Sequence, residues 1–260
     1  MRIHSERGLK METLDYHDTR KQTIVELQNQ IWAREQGASP NAKTVYSTGC
    51  SDLDALLPSG GVRRGSLIEW MGNSSASRAG TLSLIAGKEV CSQESPVVLI
   101  DMHHELFPLS LSLLGFDLAR VILIRPSSEK EALWACEEAL RSESIGLVWA
   151  NIERLSSTSF RRLQLASEAS AGIGFLVRSA KAIQQPSWAE ARLLVRPSPS
   201  RQGSPCVQVE VASSYRKPRR SQADIMINRQ KGTLHGTTTS ANPLPMATRL
   251  GITAAYQHSA

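Results

Sequence analysis

The stretch GNSSASRAGT, Gly72–Thr81, lies between the largely apolar runs Leu67–Trp70 and Leu82–Ala86. The first run predicts a buried strand that ends at the glycine, and the second predicts a helix. A glycine-containing loop between a strand and a helix is the setting of a phosphate-binding loop, whose pattern is G-x-x-x-x-G-K-[ST]. Because only part of that pattern is present, three interpretations arise: a nucleotide site, a former nucleotide site, or an ordinary turn.

The residue types that hold phosphate and magnesium are replaced in this loop. Gly72 keeps the first position, but Ser77 stands in place of the second glycine and Arg78 in place of the lysine. Ala79 replaces the hydroxyl residue. Arginine is planar and bulkier than lysine, so the exchange is not conservative. The favoured interpretation is a former phosphate loop that persists as a turn. The candidate nucleotide contacts are Gly72, Ser77, Arg78, Gly80 and Thr81.

Strand and helix patterns alternate through the middle of the chain. Strands are predicted at Ser66–Trp70, Pro96–Asp101, Val121–Ile124, Ile145–Trp149 and Ile173–Val177, and helices at Thr81–Cys91, Phe107–Leu114, Glu129–Arg141 and Ser159–Ala171. Continuous apolar runs of this kind are typical of parallel strands that are buried on both faces. After Arg178 the strands at Ala191–Val195, Cys206–Val211 and Ile225–Asn228 follow without helices. The predicted class is α/β: a mostly parallel sheet covered by helices, with an antiparallel C-terminal extension.

The flanks differ from this core. Residues 1–20 are polar and predicted to be disordered, and residues 21–43 are predicted to form an amphipathic docking helix and a linker. The core is assigned to residues 44–232, and residues 233–260 to a weakly ordered tail. The stripe that would dock on another surface, either the same domain or a neighbouring molecule, consists of Ile24, Leu27, Ile31 and Trp32.

Composition restricts the protein class. The chain has 260 residues, of which 41% are apolar and 21% charged, as in globular proteins. Its four cysteines include no C-x-x-C pair, so paired-ligand zinc is not predicted. His103-His104 is interpreted as a loop rather than a metal-site fragment. No segment resembles a signal peptide or reaches the roughly 18 apolar residues of a membrane helix. We expect a cytoplasmic protein without a membrane partner.

Positive charge is concentrated in one part of the chain. Residues 178–232 contain eleven Lys and Arg and three acids, a net of 11 − 3 = +8, so the remainder carries +6 − 8 = −2. Such a segment favours single-stranded DNA or an acidic protein as a partner, although a solvated basic face explains it equally well. The residues singled out for nucleic-acid or partner contacts are Arg216, Lys217, Arg219 and Arg220.

Several segments together resemble the core of RecA-type ATPases. YSTGCSDLDALLPSGGVRRGSLIEWMG, Tyr46–Gly72, is similar to the opening of that core, and VVLIDMHHELFP and IGLVWANIERL resemble two later strands with their loops. ARLLVRP, CVQVEVA and ADIMINRQKG resemble the closing strands. The resemblance covers Tyr46–Gly232 and implies a RecA-like fold. It also implies that the N-terminal helix packs on a neighbouring subunit, as in RecA-like filaments.

The resemblance exposes further replacements. The carboxylate that orients the attacking water falls at His103, with Glu105 two residues later, and the magnesium carboxylate falls at Ala150-Asn151. The polar sensor falls near Ser179, and the loop 179–190 is shorter than the DNA-binding loop of recombinases. Since phosphoryl transfer depends on positioning and charge neutralisation, these losses predict that the protein is not an enzyme. No cofactor is required, and ATP binding is left as an alternative.

The closest resemblance is to the ImuA accessory proteins of bacterial mutagenesis cassettes. It rests on the N-terminal amphipathic helix, on LDALLPSGGVRRGSL and above all on PSWAEARLLV, Pro186–Val195. It implies a nucleoid-associated role in translesion synthesis beside an inactive Y-family polymerase homologue and an error-prone replicative-type polymerase, with RecA as a further candidate partner. The alternatives are an active DNA-dependent ATPase or recombinase, and a SulA-like inhibitor of cell division.

Three tryptophans receive separate predictions. Trp134 and Trp149 lie in a predicted helix and strand, and both are expected in the core because large aromatic residues are usually buried. Trp188 follows Pro186 in a basic loop, where it could stack on a base. Packing against the sheet is the favoured interpretation for Trp188.

Overall fold

A nine-stranded sheet forms the centre of the molecule. The computed structural model describes residues 44–73, 75–91, 95–201, 203–214 and 218–237. The strands are β1 (Val45–Tyr46), β2 (Val62–Arg63), β3 (Leu67–Gly72), β4 (Val97–Ile100), β5 (Val121–Ile124), β6 (Leu147–Asn151), β7 (Ile173–Ser179), β8 (Ala191–Arg201), β9 (Ser204–Ser214), β10 (Gln222–Asn228) and β11 (Thr233–Gly236). The main sheet has the order β11-β10-β9-β8-β3-β7-β6-β4-β5, and β1 pairs with β2 separately.

In the described part of the chain, five helices accompany the sheet. They are α1 (Ser51–Asp54), α2 (Ala79–Val90), α3 (Pro108–Leu113), α4 (Glu129–Arg141) and α5 (Ser157–Ser170). Short 3-10 turns occupy Ser75–Ser77, Leu118–Arg120 and Ala180–Gln184. Ser128 and Ser156 cap α4 and α5, since each side chain accepts a hydrogen bond from a backbone N–H in the first turn. Such caps satisfy amides that have no partner within the helix.

The strands from β3 to β8 pair in parallel, and helices cover them on both faces. Successive residues of β4 point to opposite sides: Val97 and Leu99 pack with α1, α2 and α3, whereas Val98 and Ile100 pack with α4 and α5. This explains why the strand is apolar at every position rather than at alternate ones. The structure therefore confirms the α/β class and the covered parallel sheet.

The last four strands form the predicted antiparallel extension, but it is longer than predicted. β8 and β9 each span 11 residues, and β11 adds an edge strand antiparallel to β10. The core therefore continues past Gly232, where the tail was expected to begin. Leu234 is 3% exposed and packs into the core shared with α2. One apolar residue among polar neighbours gives little sequence signal for so short a strand.

The prediction for Trp134 is wrong. Its side chain is 64% exposed, whereas Trp149 is 3% exposed, as expected. The buried face of α4 repeats every four residues through Ala132, Cys136 and Leu140, and Trp134 is rotated away from that face. The position of Trp134 on the helix therefore decides its exposure, although large aromatic residues are usually buried.

Some predictions concern residues outside the described part of the chain. These are the disordered residues 1–20, the docking helix and linker at 21–43, and the tail beyond residue 237. Among the described residues, no helix is both long and apolar enough to cross a membrane.

Candidate functional site

A cleft of about 550 Å³ opens where β3, β6 and β7 end and α2 begins. The loop Gly72–Thr81 forms one wall, with Gly72, Ser77, Arg78, Gly80 and Thr81 all among its lining residues. In open α/β sheets, the carboxyl ends of parallel strands are the usual place for ligands. The structure thus brings together every residue that the sequence proposed as a nucleotide contact.

The interior of this loop is filled by its own side chain. Ser77 is 2% exposed, and its hydroxyl packs so closely on Gly72 that a Cβ added at Gly72 would overlap Ser77 Oγ. The same hydroxyl accepts a hydrogen bond of 3.4 Å from the backbone N–H of Ala79. That amide belongs to the first turn of α2, where a bound phosphate is stabilised by free N–H groups. The serine therefore occupies space and an amide that a phosphate would need.

Arg78 precedes α2 in a left-handed backbone conformation, with φ of 60° and ψ of 21°. This region is costly for residues other than glycine, by about 1 kcal/mol or more. Its side chain lines the cleft and forms no hydrogen bond or ion pair within the described part of the chain. A free guanidinium beside the cleft attracts anions, but this planar group is bulkier than the compact ammonium group of a lysine.

The opposite wall carries Glu105 and Asn151. The Asn151 amide donates a hydrogen bond of 3.4 Å to a Glu105 carboxylate oxygen, and both residues line the cleft. An amide therefore stands at the end of β6, where the resemblance places the magnesium carboxylate, and the Glu105 carboxylate lies beside it on the same wall. His103 is exposed and does not line the cleft. Glu105, the second residue named for this position, is the one that faces the cleft.

Asp101, which sequence reasoning did not single out, holds this wall in place. Its buried carboxylate accepts hydrogen bonds of 2.9 Å from the backbone N–H groups of Glu105 and Leu106. Arg125 lies 3.8 Å from the same carboxylate. An acidic residue directly after an apolar strand is the sequence signal that could have revealed it.

A second unforeseen feature is a buried ion cluster below the cleft. Glu69 is fully buried in β3, and its carboxylate pairs with Arg178 and Arg192 at 2.6 Å each. Ser187 donates a further hydrogen bond of 2.7 Å to Glu69. A charged residue in the middle of the apolar run Leu67–Trp70 was the available signal, because buried carboxylates are normally paired.

This cluster fixes the segment 180–190. Arg178 donates to the Gln185 side chain at 2.5 Å, and Arg192 donates to the carbonyls of Ala182, Ile183 and Gln185. Trp188 packs against the core beside α5, with the Arg161 guanidinium 4.6 Å from its ring centroid. The packing interpretation of Trp188 is therefore confirmed. The short loop lies against the sheet instead of projecting as a long DNA-binding loop would.

The basic residues of the segment 178–232 are less available to bind DNA than the sequence alone indicates. Besides the two buried arginines, Arg196 pairs with Glu210, Arg201 with Asp224 and Arg220 with Asp52. Arg219 is exposed and has no ion pair among the described residues, while Arg216 and Lys217 lie outside them. Arg220 donates its backbone N–H to Ala55, so the chain near Arg219 and Arg220 packs beside α1, away from the cleft. Instead, Arg229 and Arg178 line the cleft.

Outside the cleft, burial raises the pKa values of several side chains. Desolvation raises the pKa of the Cys136 thiol to about 12 and that of Cys91 to about 11, so both thiols are protonated at neutral pH. Glu190 pairs with Arg63 at 3.0 Å, yet burial raises the pKa of its carboxyl group. In the described part of the chain, no three His, Cys, Asp or Glu side chains are arranged to hold a metal ion.

Comparison with known proteins identifies one region of similarity. Residues 28–156 match the RecA N-terminal domain. The chain is 36% identical over 104 residues to Protein RecA of Leptospira biflexa, covering 40% of this chain and 27% of that protein. For Protein RecA of Borreliella afzelii the identity is 34% over 116 residues, covering 44% and 32%, and for that of Clostridium novyi it is 33% over 102 residues, covering 39% and 29%.

The match thus includes the loop Gly72–Thr81 and the strand β6 that ends at Asn151. The alignments with the RecA proteins cover about a third or less of the length of each curated relative. The chain is RecA-like, and its similarity to the RecA N-terminal domain extends over residues 28–156.

Proposed function

We propose that this protein is a non-catalytic RecA-like accessory protein that serves error-prone translesion DNA synthesis in the response to DNA damage. The observation that carries the proposal is the filled loop, in which the Ser77 hydroxyl packs on Gly72 and accepts from the amide of Ala79. The missing lysine and the amide of Asn151 in place of a metal carboxylate support it.

The size of these losses argues against turnover. Each preorganised electrostatic group contributes on the order of 3 kcal/mol to transition-state stabilisation. The lysine and the magnesium ligand act on the same transferring phosphoryl group, so their joint absence removes most of the stabilisation that the site could provide. An arginine at position 78 supplies charge, but not the metal that bridges the phosphates.

A steady-state ATPase assay with magnesium and single-stranded DNA tests the absence of catalysis. We expect no turnover above background and no change on Arg78→Ala, with Lys130→Ala on the distant helix α4 as a matched control. Turnover that disappears in the Arg78→Ala variant but persists in the Lys130→Ala variant would refute the proposal.

The accessory role is carried by the resemblance of Pro186–Val195 and of the opening Leu53–Leu67 to ImuA proteins. The partners proposed are an inactive Y-family polymerase homologue and an error-prone replicative-type polymerase. Genes for such polymerases next to the gene of this protein would support the role. Copurification of the protein with a tubulin-like division protein, and not with these polymerases, would favour the division inhibitor instead.

One observation favours a second candidate, a DNA-dependent ATPase. Glu105 lines the cleft opposite the loop, so a carboxylate is available near the position that orients water, and the relatives are named RecA. The same ATPase assay decides between the two candidates, because an active site built on Glu105 would lose its turnover on Glu105→Gln.

A further inference from the structure

Helix α3 and its flanks expose an unusual amount of apolar surface. Phe107, Leu109 and Leu113 are 65%, 60% and 66% exposed, and Leu118 is 43% exposed. We refer to these four residues as the α3 patch. The opposite side of the same helix is anchored, since Leu111 is buried in the core. Single exposed apolar residues are ordinary, but a group of large ones on one short element marks an interaction surface.

We propose that the segment Lys21–Glu35 of the same chain docks on the α3 patch. Its apolar residues recur at the spacing of one helical face, and from Ile24 to Trp32 that face would be about 12 Å long. Helix α3, with six residues, presents exposed side chains over a similar length, about 9 Å. An isolated helix of 15 residues is marginal in water, so a helix formed by this segment would be stabilised by an apolar surface.

The start of the described chain is close to the segment that follows α3. The described chain begins at Thr44, and Tyr46 lines a cavity of about 220 Å³ together with Ser95. Ser95 also lines a cavity of about 140 Å³ with Phe116, just beyond the end of α3. The start of the described chain and the end of α3 therefore lie at adjoining cavities. The eight linker residues 36–43 can span roughly 26 Å when extended.

The short linker favours docking within one chain over docking between chains. A short flexible tether gives the segment an effective concentration in the millimolar range at a surface that it can reach, far above the concentration of a second molecule in dilute solution. Leu113 belongs to both the patch and the cleft lining. This inference does not depend on whether the cleft turns over nucleotide.

Hydrogen exchange on the full chain tests the docking. Leu109→Asp combined with Leu113→Asp should accelerate the exchange of amides 24–32 by about tenfold or more, because the segment loses its surface. Trp134→Asp combined with Leu165→Asp is the matched control, since these residues are 64% and 48% exposed on α4 and α5. The control should leave amides 24–32 as slow as in the unmodified protein.

The reciprocal variant is Ile31→Asp, which leaves the described core unchanged and should accelerate exchange in residues 107–118. The Ile31→Asp variant also tests the docking if the variant with substitutions in α3 does not fold. The inference is overturned if amides 24–32 exchange rapidly in the unmodified protein, or if both variants leave the two segments unaffected. Protection that disappears on hundredfold dilution would likewise overturn it, in favour of docking on a neighbouring molecule.

Discussion

Single residues decide the local structure in two places, the loop Gly72–Thr81 and the buried ion cluster. In the loop, the Ser77 side chain fills the space beside Gly72, which a glycine at position 77 would leave open. In the cluster, the Glu69 carboxylate is the counter-charge shared by two buried arginines, Arg178 and Arg192. The first effect is steric, whereas the second arises because the protein interior penalises any charged group that is left unpaired.

The cluster leads to a prediction on stability. Glu69→Ala should lower the free energy of unfolding by about 3–5 kcal/mol, because it leaves the guanidinium groups of Arg178 and Arg192 buried without their counter-charge. Urea denaturation measures the change. Glu210→Ala is the matched control: the side chains of its pair with Arg196 are 40% and 45% exposed, and such pairs contribute only about 0–1 kcal/mol. Equal losses in the two variants would contradict the role given to burial.

At the level of elements, α4 shows how local sequence defines a helix end. Ser128 accepts from the N–H of Glu131 at 3.3 Å, and the Glu131 carboxylate accepts from the N–H and hydroxyl of Ser127 at 2.8 and 2.7 Å. The two side chains satisfy amides that the helix leaves free, as in a capping box. The hydrogen bonds from Ser127 lower the pKa of the Glu131 carboxyl group below its ordinary value of 4.5.

This lowered pKa predicts a pH dependence. A group with a folded pKa below its unfolded one stabilises the protein above the unfolded pKa, and that contribution is lost as pH falls through the folded pKa. The stability difference between the unmodified protein and Glu131→Gln should therefore be largest above about pH 4.5 and shrink below it. Urea midpoints at a series of pH values measure it. A stability difference that does not change with pH would contradict the prediction.

The segment 180–190 illustrates the limit of local patterns. Its sequence contains Trp188 and lies in the basic part of the chain, which is consistent with base stacking. Contacts with distant residues decide otherwise: Arg161 from α5 covers the Trp188 ring, and Glu69 holds Ser187 through a hydrogen bond. Neither partner is adjacent in sequence, so the packing of this segment follows from the strand order.

At the scale of the whole molecule, the distribution of charge determines which surface residues DNA could contact. Five of the eleven basic residues in 178–232 pair with acids, so binding to single-stranded DNA should be weak. If Arg216, Lys217, Arg219 and Arg220 bind phosphates, their reversal to Glu should flatten the dependence of log K on log salt, by about 0.7 for each phosphate that is no longer neutralised. Fluorescence anisotropy with a single-stranded oligonucleotide measures the slope.

A smaller comparison controls for net charge. The pair Lys217→Glu and Arg219→Glu changes the charge as much as the pair Lys130→Glu and Arg154→Glu, which alters exposed cations elsewhere on the surface. Only the first pair should reduce the slope. An equal reduction by both pairs would mean that the basic segment acts through general charge and is no defined contact surface.

The architecture of the whole molecule could be predicted from the amino-acid sequence. Apolar runs such as Val97–Ile100 and the amphipathic pattern of Glu129–Arg141 specify strand and helix locally, and their alternation specifies a parallel sheet. The replacements at Ser77 and Arg78 are predictions from the spacing of the phosphate-loop motif, and the one at Asn151 is a prediction from the RecA-like resemblance.

Only the tertiary structure shows which side chains contact each other. The pairing of Glu69 with Arg178 and Arg192 joins three strands, and the approach of Glu105 to Asn151 joins the ends of two more chain segments. The addition of β11 to the sheet likewise depends on which edge was already covered. These outcomes follow from packing between residues far apart in sequence, and local periodicity carries no information about such partners.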